Sequence, residues 1–325
     1  MSKNICCMVL SALLFALCLP VEAQKSPAVR KIGFLGASRG PGDAYEVFRR
    51  SLEELGYADG RNIVSEFRGA DSRPRLLELA NELIREKVEL IVASGGPATR
   101  SAKDATNTIP IVFTTSGDPI ESGFVESIAR PGGNMTGMSW LSFEIIGKRL
   151  ELLKEAVPKV SHVAVLSNPQ HPGEQRELRE TQSTARALGI SLDYHQTRTA
   201  AEFDVAYDAI IKKQRANGLL VFPEGVTLDH RMGIVEFAAK RRLPTMLGWS
   251  EYVEAGGLMS YGPNRGESYK RIAVHVDKIL KGRKPSDLPV ELPLKFEMVI
   301  SLKTAKQIGL TIPPNVLARA DKVIK

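Results

Sequence analysis

The chain has 325 residues, a net charge of +7 and an apolar share of 43%, and a length near 300 residues can bury an ordinary core and divides readily into two domains. Its three cysteines, Cys6, Cys7 and Cys18, all lie in the first two dozen residues. The rest of the chain is therefore excluded from disulfide staples, thiol nucleophiles and cysteine-ligated metals.

The N-terminus reads as an export signal. Lys3 supplies a positive start, Ile5 to Leu19 is apolar apart from Ser11, and Val21-Glu22-Ala23 places small residues where a signal peptidase cuts. Residues 1–23 are thus expected to be a signal peptide removed after Ala23, leaving an exported, periplasmic protein. Cys18 raises a lipoprotein reading, against which Leu17 stands where a lipobox needs a small residue. No later segment approaches the roughly 20 apolar residues that span a bilayer. The basic residues are scattered, with short clusters at Lys240-Arg241-Arg242 and Lys281-Gly282-Arg283-Lys284, a pattern of solvated surface rather than of nucleic-acid binding.

From Arg30 to Tyr261 short β-branched runs alternate with amphipathic segments, which predicts βα units and parallel sheets. Strands are expected at Lys31 to Leu35, Asn62 to Phe67, Leu90 to Ala93, Ile109 to Phe113 and Met135 to Met138. In the second predicted helix Ser72 can cap, Pro74 sits in the first turn, and Leu76, Leu79, Ala80, Leu83, Ile84 and Val88 recur at helical spacing.

The second half repeats this order. His162-Val-Ala-Val-Leu-Ser-Asn168 matches the first strand, Asn217-Gly-Leu-Leu-Val-Phe222 the third, Leu243-Pro-Thr-Met-Leu247 the fourth and Gly256-Gly-Leu-Met-Ser260 the fifth, all offset by roughly 125 to 135 residues. The expected fold is α/β, with two similar Rossmann-like lobes joined by a hinge. One lobe takes residues 29–137 with part of 261–325, and the other takes 138–260 with part of 285–325. The tail is expected to wrap across both lobes through a helix from Gly266 to Leu280, a linker with Pro285, Pro289 and Pro293, and an apolar run from Phe296 to Leu302.

A catalytic constellation is hard to find. The five histidines, His162, His171, His195, His230 and His275, show no metal spacing, and no G-x-S-x-G elbow occurs. The loop Gly36-Ala-Ser-Arg-Gly40-Pro-Gly42 mimics a dinucleotide loop, but Pro41 interrupts the N–H donors that would cradle a pyrophosphate. None of the seven tyrosines has Lys four residues on. We expect no catalytic residues, no cofactor and no metal.

Two facing parallel-sheet lobes create a cleft, and ligands bind there on loops at the carboxyl ends of strands. Ser38 and Arg39 follow the first strand. Ser94, Gly95 and Gly96 follow the third and open a helix whose N-terminus suits a carboxylate. Thr114, Thr115 and Asp118 follow the fourth, Asp118 as either a helix cap or a partner for a ligand cation. From the second half come Asn168, Glu224 and Trp249, with Tyr252 beside it; Glu224 can pair with an ammonium, and Trp249 is either an aromatic wall or interlobe packing.

Several longer blocks carry a resemblance: Phe48-Arg-Arg-Ser-Leu-Glu-Glu-Leu-Gly-Tyr57, Ile109-Pro-Ile-Val-Phe113, Gly117-Asp-Pro119, Ala129-Arg-Pro-Gly-Gly-Asn134, Lys148-Arg-Leu-Glu-Leu-Leu153, Glu254-Ala-Gly-Gly-Leu-Met-Ser-Tyr-Gly-Pro263 and Ile308-Gly-Leu-Thr-Ile-Pro313. With these, residues 30 to 325 resemble the ABC-transporter substrate-binding family that includes tryptophan- and tyrosine-type receptors, within the type I periplasmic binding protein class. The resemblance implies capture of a small molecule by hinge closure and delivery to an ABC permease, by a protein we expect to be monomeric. A sensor feeding a membrane signalling protein would use the same cleft. The ligand stays open, because the loop Ala37-Ser38-Arg39-Gly40-Pro41 lacks the histidine-proline pattern of the amino-acid binders.

Overall fold

The computed structural model describes residues 29–325, so the expected signal peptide and Cys18 lie outside the described residues. The first sheet holds β1 (Arg30–Gly36), β2 (Ile63–Gly69), β3 (Leu90–Ser94), β4 (Ile111–Thr115) and β5 (Met135–Ser139), all parallel, in the order β2-β1-β3-β4-β5. β3, β4 and β5 are almost wholly buried. Helices cover both faces of such a sheet, so its strands read as continuous apolar runs rather than alternating ones.

The second sheet contains β6 (His162–Ser167), β7 (Ser191–Gln196), β8 (Gly218–Val221), β9 (Thr245–Leu247) and β10 (Met259–Pro263), extended at one edge by β11 (Phe296–Ser301) and β12 (Lys322–Ile324). Its core order, β7-β6-β8-β9-β10, repeats that of the first sheet, so the four sequence matches fall on topologically equivalent strands. β11 runs antiparallel to β10.

The chain passes between lobes at Trp140-Leu141 after β5, at Asn264 after β10, and between Glu291 and Phe296 before β11. After the second passage the helix Arg265–Leu280 packs on the first lobe against the helix Asp43–Glu54, where Tyr57 donates its hydroxyl to Asp277 at 3.0 Å. Thr136 then donates to the Leu288 carbonyl at 2.6 Å and Ser139 N–H to that of Glu291 at 3.0 Å, before β11 returns the tail to the second sheet. Ser72 occupies the cap position of its helix, as its sequence suggests, but its side chain makes no capping hydrogen bond.

One hydrophobic cluster is continuous across the lobes. It runs from Phe34 and Phe48 in the first lobe through Trp140, Tyr269 and Trp249 to Leu166 and Val221 in the second. This aromatic seam lies beside the first two passages, where the sheets' carboxyl edges face each other.

Candidate functional site

Reversal of winding direction between β1 and β3, and between β6 and β8, leaves a crevice at the carboxyl end of each sheet. The two crevices meet in a cavity of about 290 Å³, at the small end of ligand sites. Its first-lobe wall is Ser38, Ser94, Gly95, Gly96 and Ser116, with Phe34, Tyr45 and Phe67 packed beside them; the second-lobe wall is Glu224, Gly225, Leu228, Asp229, Trp249 and Glu251. Trp140, Arg265 and Tyr269 line it from the passages.

The aromatic rings support one another. Trp140 meets Trp249 edge to face with centroids 5.2 Å apart, and Phe34 meets Tyr45 in the same way at 5.1 Å; such pairs hold each other's orientation beyond the area they bury. Tyr269 is anchored by its hydroxyl to Ser94 Oγ at 2.5 Å. Trp140 Nε1 donates to Ser268 Oγ at 3.1 Å. The Arg265 guanidinium lies over the Trp249 ring at 4.6 Å and pairs with Glu251 at 2.7 Å. Burial opposes its charge most strongly of any single cause, but Glu251, Tyr269 and Tyr252 together outweigh it and its pKa is raised.

Within this wall Glu224 Oε2, Trp249 Nε1 and Arg265 Nε are buried and have no hydrogen-bond partner. A buried polar atom left unpaired costs about 1–3 kcal/mol, and these three belong to residues that line one cavity. Burial pushes the Glu224 carboxyl up to about 7, against the pull of the Asn168 amide and the backbone N–H groups of Val226 and Thr227.

The lobes touch on either side of the cavity. On one side the Arg39 backbone N–H donates to Asp229 Oδ2 at 3.1 Å, and Gly225 lies so close to the Ala37 carbonyl that a Cβ there would sit 2.1 Å from its oxygen. On the other side Ser116 Oγ and His171 Nε2 are 2.7 Å apart, and Arg176 bridges Asp118 at 2.7 Å and Glu121 at 3.1 Å. His171 Nδ1 accepts the Gly173 N–H at 3.1 Å, which places the ring proton on Nε2, facing Ser116. Burial lowers the His171 pKa to about 4.

Of the residues singled out from sequence, Ser38, Ser94, Gly95, Gly96, Glu224 and Trp249 line the cavity. Arg39, Thr114, Thr115, Asp118, Asn168 and Tyr252 do not. Arg39 points into solvent and pairs with Asp71 at 2.6 Å. Thr114 Oγ1 accepts from Gly95 N at 3.1 Å and Thr115 Oγ1 from Gly117 N at 3.2 Å, so both hydroxyls brace loops. Asp118 caps Ile120 and Glu121 with one oxygen and holds Arg176 with the other, which leaves neither for a ligand. Asn168 is buried beside Glu224, and Tyr252 stands behind Trp249, bonded to Thr227 Oγ1 at 2.7 Å. The sequence reading missed Ser116, Trp140, Arg265 and Tyr269. It also gave no role to His171, whose ring is buried between the lobes. Among the described residues no group of His, Asp and Glu is placed to hold a metal ion.

Two α/β lobes with a cavity between them are the architecture of a solute-binding protein. The chain matches the family described as ABC transporter substrate binding protein over residues 40–324, and it belongs to that family. It is similar to a tyrosine-binding protein of Clostridioides difficile strain R20291, 27% identical over 81% of this chain and 75% of that protein. Among solved structures, a conserved domain protein from Vibrio cholerae O1 is 27% identical over 91% of this chain and 99% of that one, with a TM-score of 0.83. A Streptococcus pneumonia ABC domain in complex with L-Trp shares the fold at a TM-score of 0.81 and 24% identity, covering 91% of this chain and 100% of that one. The chain is a solute-binding protein of the type I periplasmic class, not an enzyme.

Two predictions follow from the lobe contacts. Gly225→Ala puts a methyl group into the Ala37 carbonyl, so it should lower ligand affinity at least about tenfold while leaving the melting temperature of the free protein within about 2 °C, because closure rather than folding is blocked. Calorimetry and thermal melts check this. His171 is neutral when the lobes are shut and returns toward its ordinary value of about 6.5 when they open. Closure is therefore unopposed by His171 above that pH and weakened by up to about tenfold per unit as pH falls from 6.5 toward 4. Comparing affinity–pH profiles for the wild type and His171→Gln isolates this component, and identical profiles would contradict it.

Proposed function

We propose that this protein is the exported receptor of an ABC importer, and that it captures a small aromatic carboxylate of the amino-acid type between its lobes and presents it to a membrane permease. The observation that carries the reading is the set of orphaned buried atoms, Glu224 Oε2, Trp249 Nε1 and Arg265 Nε, on one aromatic-walled cavity. The planar body of the ligand lies among Trp140, Trp249 and Tyr269. Its carboxylate accepts from Arg265 and Trp249 and faces the end of the helix Gly96–Ala105, where Ser94, Gly95 and Gly96 line the wall.

Ser38, Ser94, Gly95, Gly96, Ser116, Glu224, Trp249, Arg265 and Tyr269 form this proposed site, with contributions from both lobes. A ligand touching both walls favours the shut form by the contacts it gains there. The tyrosine and L-Trp in the names of similar proteins agree with the aromatic wall. Membership of an ABC transporter family favours transport over sensing. The composition of residues 1–23 supports export, and no helix of the described chain is long and apolar enough to cross a membrane.

The test is a thermal-shift screen of refolded protein against amino acids, carboxylates, amines and sugars, with calorimetry on hits. Refolding removes ligand carried through purification, which would raise apparent stability by mass action. Aromatic amino acids should give the largest shift, about 2.7 kcal/mol of added stability at a hundredfold excess over Kd. A shift confined to sugars, or none, would overturn the reading.

A further inference from the structure

We infer that the amino edge of the second lobe is a docking surface for an anionic phospholipid bilayer, one that holds the protein at a membrane and leaves the cleft, at the carboxyl edges of the sheets, free for solute. Cations that are scattered along the sequence are gathered at this edge by the topology, because in a parallel sheet every connection that enters a strand arrives at the same side. Lys159 precedes β6, and Arg241 and Arg242 precede β9. Arg186 lies in the last turn of the helix that leads into β7, and Lys212 in the last turn of the helix that leads into β8. β11 runs antiparallel to β10, so its end reaches the same edge, and the helix Leu302–Gln307 that follows it adds Lys303 and Lys306. Backbone hydrogen bonds tie these loops side by side. Ser191 N–H donates to the Ser161 carbonyl at 2.8 Å, Asn217 N–H to that of His162 at 2.8 Å, Leu219 N–H to that of Pro244 at 2.9 Å and Ser301 N–H to that of Leu258 at 2.8 Å. The cations therefore form a row along the strand ends from β7 to β11, about 25 Å at the usual strand spacing.

All of these side chains are exposed, and among the described residues none of them takes part in an ion pair. Carboxylates nearby are already engaged by other cations, Asp193 by Lys213 and Arg215 and Glu236 by Lys240. Asp208, one turn before Lys212, is too little to neutralise the row. The amino edge of the first lobe is of mixed sign instead, with Arg30 against Glu89 and Lys31 between Glu66 and Glu86. What the edge lacks decides the partner. Of the large apolar side chains that the molecule exposes, only Ile211 belongs to it. A protein partner calls for an apolar, aromatic-rich centre and a single-stranded nucleic acid for stacking rings. Long unpaired cations in a row, with neither of these, match negative charge spread over a plane of lipid headgroups.

Co-sedimentation of the mature chain with vesicles tests this, using phosphatidylcholine alone and phosphatidylcholine with about a third phosphatidylglycerol. At low ionic strength the wild type should bind the phosphatidylglycerol vesicles at least about tenfold more tightly than the neutral ones, and lose that binding in about 0.5 M NaCl, where exposed charges are screened within about 4 Å. The combined substitutions Lys212→Gln, Arg241→Gln, Lys303→Gln and Lys306→Gln should weaken binding by about tenfold or more. A control with the same loss of charge on the first lobe, Arg61→Gln, Arg85→Gln, Arg283→Gln and Lys284→Gln, replaces side chains that are also exposed and outside any ion pair, and should stay within about twofold of the wild type. Both sets lie on the surface, and unchanged melting temperatures check that both variants fold. Equal binding to the two kinds of vesicle, or an equal loss in the two variants, would overturn the inference, the second by showing that net charge alone is responsible. Retention on a heparin column without binding to phosphatidylglycerol vesicles would overturn it in favour of an acidic polymer.

Discussion

The contact of Trp140, Tyr269 and Trp249, with Arg265 laid across it, is the constraint on which the rest of this molecule depends. Trp140 belongs to the first passage between lobes and Arg265 follows the second, while Trp249 lies just beyond β9 of the second lobe. The floor of the cavity is thus also where two of the chain's passages between the lobes lie. A ligand seated on these rings touches the elements whose angle must change for the cleft to open. On the proposed function binding and closure are one event, because the contacts that would hold the ligand are the contacts that would distinguish shut from open.

Polarity divides the cavity in a second way. Most buried polar groups around it are fully engaged, as in Thr114 with Gly95 or Thr227 with Tyr252. Glu224 Oε2, Trp249 Nε1 and Arg265 Nε, which belong to residues of its wall, are not. Shut and empty, the protein would carry these atoms unpaired in a low-dielectric site, so the empty shut form is penalised and the open form, which hydrates them, is favoured. Gly225, Gly117 and Gly173 allow the lobes to come together backbone to backbone around the site. Side chains at these positions would hold the walls apart.

Much of this was legible in the sequence. The alternation of β-branched runs with helical spacing, and its repetition from His162 onward, specify two sheets of the same strand order. The rule that ligands bind beyond strand ends pointed to Ser94 to Gly96, Glu224 and Trp249, which line the cavity. Asp118 and Thr115 sit on equally suitable loops, yet their side chains turn to local N–H groups or across to Arg176, a choice made by rotamer and lobe geometry that spacing does not encode. Phe34 lies inside a strand, where nothing local separates a cavity wall from core. Arg265 and Tyr269 follow Asn264, directly after β10, so the strand-end rule could have found them; the tail was read for wrapping rather than for chemistry. His171 was invisible because its partner, Ser116, is in the other lobe.

The central claim is that the space between Trp249, Tyr269 and Glu224 is the ligand site and that occupying it shuts the lobes. The most direct measurement is a crystal structure of the mature protein purified without refolding, with mass spectrometry of whatever small molecule it retains. The account predicts one aromatic molecule in contact with both lobes, its polar groups within about 3 Å of Glu224 Oε2 and Arg265 Nε. A retained molecule bound elsewhere, or lobes shut over a cavity in which these atoms remain unpaired, would contradict it.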